Sequence, residues 1–218
     1  MEKQNWMKIL TVIEIVIAVT VVLLDLFLPT LVILGMILIS LLIRREKVSV
    51  LGFMKPKSWP GMIGIAFTSV IFLQLFDIGV LMPALNRLTG TRIDYSGFSA
   101  LQGNLQQLIM FLLLAWTLAA LCEEMVYRGY FQKLLFDLFG SGLSGVWITI
   151  GISSIIFGLA HLEQGIIGVV VTTFDAVIFS LLKRKFNDNL WAAILAHGFY
   201  NTIGMVVFYF TGPIYGLW

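Results

Sequence analysis

Apolar positions run along this chain in long blocks separated by short polar stretches, and the length of the blocks predicts membrane-crossing helices. Residues 9–43 are almost uninterrupted apolar sequence, well beyond the roughly 20 residues that cross a bilayer once. Asp25 and Pro29 mark a natural break, predicting two shortish spans over about 9–25 and 28–43. A third span is expected over 60–82, followed by a polar external connection, rich in Gly, Ser and Asn, that reaches about Gly103. From 104 to 139 the helical pattern continues without a proline, with Gly129 as its weak point. At 1.5 Å per residue such a helix measures about 54 Å, so it must tilt, break or project from the membrane. Gly140, Gly142 and Gly145 predict a turn, and further spans are expected over 146–162, 166–182 and about 190–210.

The fold class expected is therefore all-α: a polytopic transmembrane helical bundle of about seven to eight spans. It is read as one integral membrane domain over 1–218, with no internal repeat, and a motif-bearing core over about 104–211. Composition agrees, since 59% of the 218 residues are apolar and 12% charged, more apolar surface than one soluble core hides. Lys3 and Lys8 before an apolar run resemble a signal peptide, yet no small-residue cleavage site follows, so a retained first span is expected.

Charge sets the expected orientation. Arg44, Arg45, Lys47, Lys55 and Lys57 form the densest basic loop, and Lys183, Arg184 and Lys185 form another. Excess positive charge marks the cytoplasmic side, which predicts a cytoplasmic N-terminus and an external C-terminus. A net charge of +2 is too small to point to nucleic acid. The single cysteine, Cys122, has no internal partner and is expected to be a small buried residue. Glu14, inside the first span, either meets a polar interior or snorkels to the membrane edge.

Candidate chemistry concentrates where charge interrupts the apolar blocks. Glu123, Glu124 and Arg128 stand inside the long fourth block, and each charge at that depth costs roughly 2.5–3.5 kcal/mol even on insertion scales. Both histidines of the chain, His161 and His197, also fall in predicted spans. An antiparallel hairpin turning near Gly142 returns Glu123 and His161 to similar depth. Residues four apart share a helix face, so Glu124 can pair with Arg128, Phe157 can wall His161, and His197 shares a stripe with Asn201. Small residues, among them Gly151, Gly158 and Gly198, would let these helices approach closely. An unpaired Glu123 can act as general base to a water, with His161 holding that water or relaying its proton. His197 and Asn201 can donate to the oxyanion of an attacked carbonyl. No serine or cysteine nucleophile with its own histidine is recognisable.

The ordered set of motifs, EExxxR at Glu123, Glu124 and Arg128, FxxxH at Phe157 and His161, and HxxxN at His197 and Asn201, resembles the CPBP intramembrane proteases. This is the CAAX-protease or Abi family, which includes the Ras-converting prenyl-protein endopeptidase. The resemblance implies a glutamate-dependent endopeptidase without a cofactor, with Glu123 as base, His161 as its partner, and His197 with Asn201 as the oxyanion pocket. Glu124 and Arg128 would orient the motif helix. Its implied substrates are peptides or membrane proteins, through CAAX-type or bacteriocin-processing and bacteriocin-immunity activity. Three alternatives remain open at this level: a zinc protease using one glutamate and two histidines, a non-enzymatic immunity or scaffold protein, and a transporter.

Overall fold

The computed structural model describes residues 2–217, and among these every regular element is helical. Helix α1 (Glu2–Leu23) and helix α2 (Pro29–Arg44) form the first hairpin. Pro29 begins α2, where a missing N–H costs nothing. Arg45, in the left-handed region at φ 57°, ends it. Helix α3 (Trp59–Phe76) starts at Ser58, whose side chain accepts from the Gly61 N–H. It continues through a π-helical turn (Asp77–Leu81) into α4 (Met82–Thr89). The third span thus extends to Thr89 rather than ending near 82. Pro83 is accommodated because the widened turn just before it lies where its ring would otherwise meet a carbonyl of the preceding turn.

The long fourth block is one continuous run, Leu105–Phe139. It opens as α5 (Leu105–Leu114), passes through π-helical segments at Ala115–Glu123 and Met125–Phe131, and closes as α6 (Gln132–Phe139). Helix α7 (Leu143–Leu159), helix α8 (Gly165–Lys185) and helix α9 (Leu190–Thr211) complete the bundle. Five of these runs are long and apolar enough to cross a membrane, and Pro29–Arg44 and Leu143–Leu159 are shorter apolar helices. Large apolar side chains such as Phe27, Leu42, Phe72, Leu75 and Leu143 cover the outside, the surface that lipid stabilises and water would not.

Two buried apolar clusters frame the interior. One joins α1 and α2 to the π segment and α7 through Ile33, Ile37, Val126, Phe131 and Phe157. The other joins α3, α8 and α9 through Val70, Phe179 and Ala196. Helices α7 and α8 pack closely at Gly158, where a Cβ would fall 1.9 Å from Thr173 Oγ1. Gly151, by contrast, has open space and enforces no approach. Glu14 is settled as well: it is buried and paired with Arg44, which also donates to Thr11 Oγ1 at 3.0 Å, so it joins α1 to α2 rather than reaching the membrane edge.

The basic loops meet at one end of the bundle. Leu190 N donates to Gly52 O at 2.8 Å and Asn189 Nδ2 to Met54 O at 2.9 Å, while Lys133 pairs with Glu46 at 3.1 Å. Lys183 departs from its expected loop position. It lies in α8, 5% exposed, and donates to Arg128 O at 2.6 Å and to Gln132 Oε1 at 3.2 Å. The opposite end is closed by the 90–104 connection and the C-terminal tail. There Asp94 N donates to Gln164 O, Gly103 N to Tyr209 O, and Asn86 Nδ2 to Tyr215 O. Cysteines placed at the exposed positions Lys47 and Lys185 are accordingly expected to react with an impermeant thiol reagent from the same side of sealed vesicles. Labelling from opposite sides would contradict this arrangement.

Candidate active site

Three residues at successive four-residue steps, Glu124, Arg128 and Gln132, form a buried polar stripe on the long fourth run. Glu124 is fully buried, and its Oε1 accepts from Arg128 Nη1 at 2.8 Å and from His197 Nδ1 at 2.8 Å. The guanidinium also sits over two aromatic faces, with Cζ 4.3 Å from the Phe157 centroid and 5.6 Å from that of Phe179, a geometry favourable to a desolvated cation. Gln132 donates to Ser153 Oγ at 3.2 Å and Ser180 Oγ at 2.9 Å, tying the stripe to α7 and α8. Buried charges are tolerated only when paired and hydrogen-bonded in this way.

The π-helical turns on both sides of Glu124 were not predicted by the α-helical pattern. They widen the helix around the motif, and such turns concentrate at functional sites because they re-aim side chains. Gly129 has a separate role, since a Cβ there would lie 3.2 Å from Leu51 Cβ, on the short turn that packs against this segment.

His197 is clamped from three directions. Its Nδ1–H is directed at Glu124, its ring stacks on Phe179 at 5.4 Å and 21°, and Phe157 meets it edge-on at 5.8 Å. Nε2 is the ring nitrogen left for other chemistry. Close passage of α9 depends on Gly198, where a Cβ would meet the Trp116 ring at 2.5 Å. Trp116 Nε1 in turn donates to Thr202 Oγ1 at 3.0 Å.

His161 lies just beyond the C-terminal end of α7, not within the helix as its apolar surroundings suggested. Its Nδ1 is 2.8 Å from the Phe157 carbonyl. A carbonyl only accepts, so Nδ1 carries the proton and a neutral ring presents its Nε2 lone pair. Phe157 lies 4.7 Å from this ring as well, and therefore separates and orients both imidazoles.

A cavity of about 190 Å³ brings Phe157, His161, His197 and Asn201 together, with Asp175 and Tyr200 beside them. Its far wall comes from the loop at the end opposite the basic face, including Tyr95. Burial first, and the nearby Asp77 charge second, push the Tyr95 phenol above its ordinary value, keeping it neutral. Glu123 is placed differently from the other motif residues. It is half-buried, its Oε2 is buried without a partner, and it neither lines the cavity nor hydrogen-bonds to His161. The predicted hairpin nevertheless forms at the expected level, since Tyr127 and Arg128 meet Phe157 at 5.0 and 4.3 Å.

Sequence reasoning passed over Asp77, Asp175, Phe179, Tyr200 and Gln132. A signal existed for the two aspartates, because each is a charge inside an apolar span. Gln132 was marked by its four-residue step from Arg128. Phe179 and Tyr200 carry no comparable mark, as their roles arise only from contacts between helices.

Fold and site together define a helical membrane protein with a buried glutamate, arginine and histidine beside a cavity that an asparagine, Asn201, also lines. Residues 105–203, just under half the chain, match the model of the family described as type II CAAX prenyl endopeptidase Rce1-like. All three motifs fall inside this segment, so the family resemblance holds there. An uncharacterized protein of Mycoplasma capricolum is 32% identical over 101 residues, covering 46% of this chain and 28% of that protein. The chain therefore matches well under a third of that relative's length. No solved structure matches the chain.

Proposed function

We propose that this chain is a membrane-embedded endopeptidase in which Glu123 activates water for attack on a peptide bond. The observation that carries the reading is the division between neighbouring glutamates. Glu124 is held through Oε1 by Arg128 and His197, whereas no hydrogen bond engages the Glu123 carboxylate, although one oxygen of each glutamate lies buried without a partner. In this scheme Glu123 moves toward the cavity when substrate binds and takes a proton from water, and the water oxygen bonds to the carbonyl carbon. His161, with Nε2 free, orients that water. The negative charge that develops on the carbonyl oxygen is met by Asn201 Nδ2–H and by a protonated His197 donating from Nε2, with Glu124 balancing the imidazolium. The proton held by Glu123 passes to the leaving amine as the C–N bond breaks. The substrate class is a peptide or membrane-protein segment, in CAAX-type or bacteriocin-related processing. The basic face, and with it the N-terminus, would lie in the cytoplasm of a prokaryotic cell.

The chemistry is proposed to need no metal. Among the described residues no three His, Cys, Asp or Glu side chains group as metal ligands. Cleavage is expected to survive incubation with 1,10-phenanthroline. Stoichiometric zinc whose removal abolishes cleavage would instead require a zinc mechanism. The function itself is tested by comparing peptides and small membrane proteins from cells carrying the wild type with those from cells carrying Glu123→Gln. A set of fragments present only with the wild type is expected, and identical sets would remove the proposal.

A further inference from the structure

Asp77 and Asp175 take no part in the chemistry above, yet both are buried inside apolar spans, at 0% and 3% exposure. Asp77 occupies the π-helical turn between α3 and α4, and Asp175 lies midway along α8. The Tyr200 hydroxyl of α9 donates to Asp77 Oδ2 at 2.8 Å, and Tyr200 and Asp175 line the same cavity. Tyr200 is itself held in place, because Gln74 Nε2 donates to its carbonyl oxygen at 3.0 Å. This assembly stands beside Asp175 at the cavity.

Asp175 also faces the cavity shared by His161, His197 and Asn201, and its Oδ1 is buried with no partner. The cavity lining contains no other carboxylate and no lysine or arginine. The cations nearby, Arg128 and the His197 imidazolium of the proposed chemistry, are both turned toward Glu124, Arg128 lying also over the rings of Phe157 and Phe179. A negative charge in such surroundings carries a desolvation penalty of several kcal/mol unless an opposite charge meets it. Apolar side chains nearby, including Ile78, Val171 and Phe179, suit the methylene stem of a long basic side chain whose head reaches a polar partner.

We propose that Asp175, with Asp77 and Tyr200 beside it, is a subsite that binds a cationic group of the substrate, a lysine or arginine side chain or an N-terminal ammonium, next to the reacting bond. The inference rests on the peptide reading of the preceding section and deepens it, because it selects apolar peptides carrying one positive charge.

Binding separates this inference from the chemistry. Fluorescent apolar peptides, identical except for one lysine, norleucine or glutamate, are titrated into detergent-purified Glu123→Gln protein, which binds without turnover. The lysine peptide is expected to bind at least about tenfold more tightly than the norleucine peptide, the ratio that roughly 1.4 kcal/mol of charge recognition gives. Adding Asp175→Asn should bring the two within about twofold. Equal binding of the lysine and norleucine peptides, or a preference that survives in folded Asp175→Asn protein, overturns the proposal. A second measurement needs no variant at position 175: dicyclohexylcarbodiimide, which reacts with carboxyl groups in apolar surroundings, should label Asp175, and the lysine peptide alone should protect it. Labelling unaffected by the lysine peptide also overturns it. Lysine-selective binding by a protein that cleaves nothing would remove only the proposed function, whereas cleavage without charge selectivity would remove only this subsite.

Discussion

Glu123→Gln is expected to lower the rate of peptide cleavage by about 10²–10⁴, the usual contribution of a positioned general base, while leaving the unfolding free energy within about 0.5 kcal/mol of the wild type. Both expectations follow from one observation. Glu123 is half-buried and its Oε2 has no partner, so an isosteric amide removes a proton acceptor without breaking a hydrogen bond. The neighbouring Glu124→Gln exchange should differ by lowering stability as well. It withdraws the negative charge from Arg128 and His197, which both donate to Glu124 Oε1 at 2.8 Å, and hydrogen bonds to charged groups each contribute roughly 1.5–3 kcal/mol. Stability should fall together with activity. Cleavage assays and unfolding in mixed micelles on the two variants read both quantities. A Glu123→Gln enzyme that cleaves at the wild-type rate would exclude this glutamate as the base. If Glu124→Gln keeps full stability, the partition between the two neighbours is wrong.

Arg128→Met is expected to be the most destabilising single exchange near the site, at about 3–5 kcal/mol, because it leaves a buried carboxylate without its cation. Arg128 is 1% exposed and Glu124 fully buried, so water cannot replace the lost pair. The loss also removes a cation from the faces of Phe157 and Phe179. Methionine keeps an unbranched apolar stem and leaves a smaller cavity than alanine would, so most of the measured change reports the lost charge. Adding Glu124→Leu to Arg128→Met should recover part of the loss, since removing both members of a buried pair is commonly less costly than removing one. If Arg128→Met unfolds at the same denaturant concentration as the wild type, the pair is not what holds the motif helix. Arg128→Lys is expected to restore only part of the stability, as an ammonium lacks the planar fork and the aromatic stacking of a guanidinium.

Much of this architecture is legible in the chain because membrane insertion writes itself into sequence locally. An apolar block of bilayer length must become a helix, since every backbone polar group has to be satisfied within the segment. The seven blocks therefore appear close to where the pattern placed them. Pairs four apart are equally local, and Glu124 with Arg128 is set by helical spacing alone. The end of the third span was less readable, because the π-helical turn at Asp77–Leu81 carries the helix on through Met82–Thr89. Lys183 reads as a loop cation by its place in a basic triplet, yet α8 carries it inward to the Arg128 carbonyl. Sequence shows the charge of that residue but not which way the helix end faces.

What the sequence by itself determined is the set of apolar blocks, the gathering of positive charge at one end, and the residue types able to do chemistry at membrane depth. These follow from the length of a helical rise against bilayer thickness and from the cost of charge in hydrocarbon. Only the tertiary structure decided which glutamate His197 binds, that Phe157 stands between the two imidazoles, and that Asp77, Asp175 and Tyr200 come together from three different helices. Contacts of that kind depend on how far each helix tilts and rotates. Those degrees of freedom are fixed by packing against neighbours such as Trp116 over Gly198 and Thr173 over Gly158, not by the spacing of residues along one chain segment.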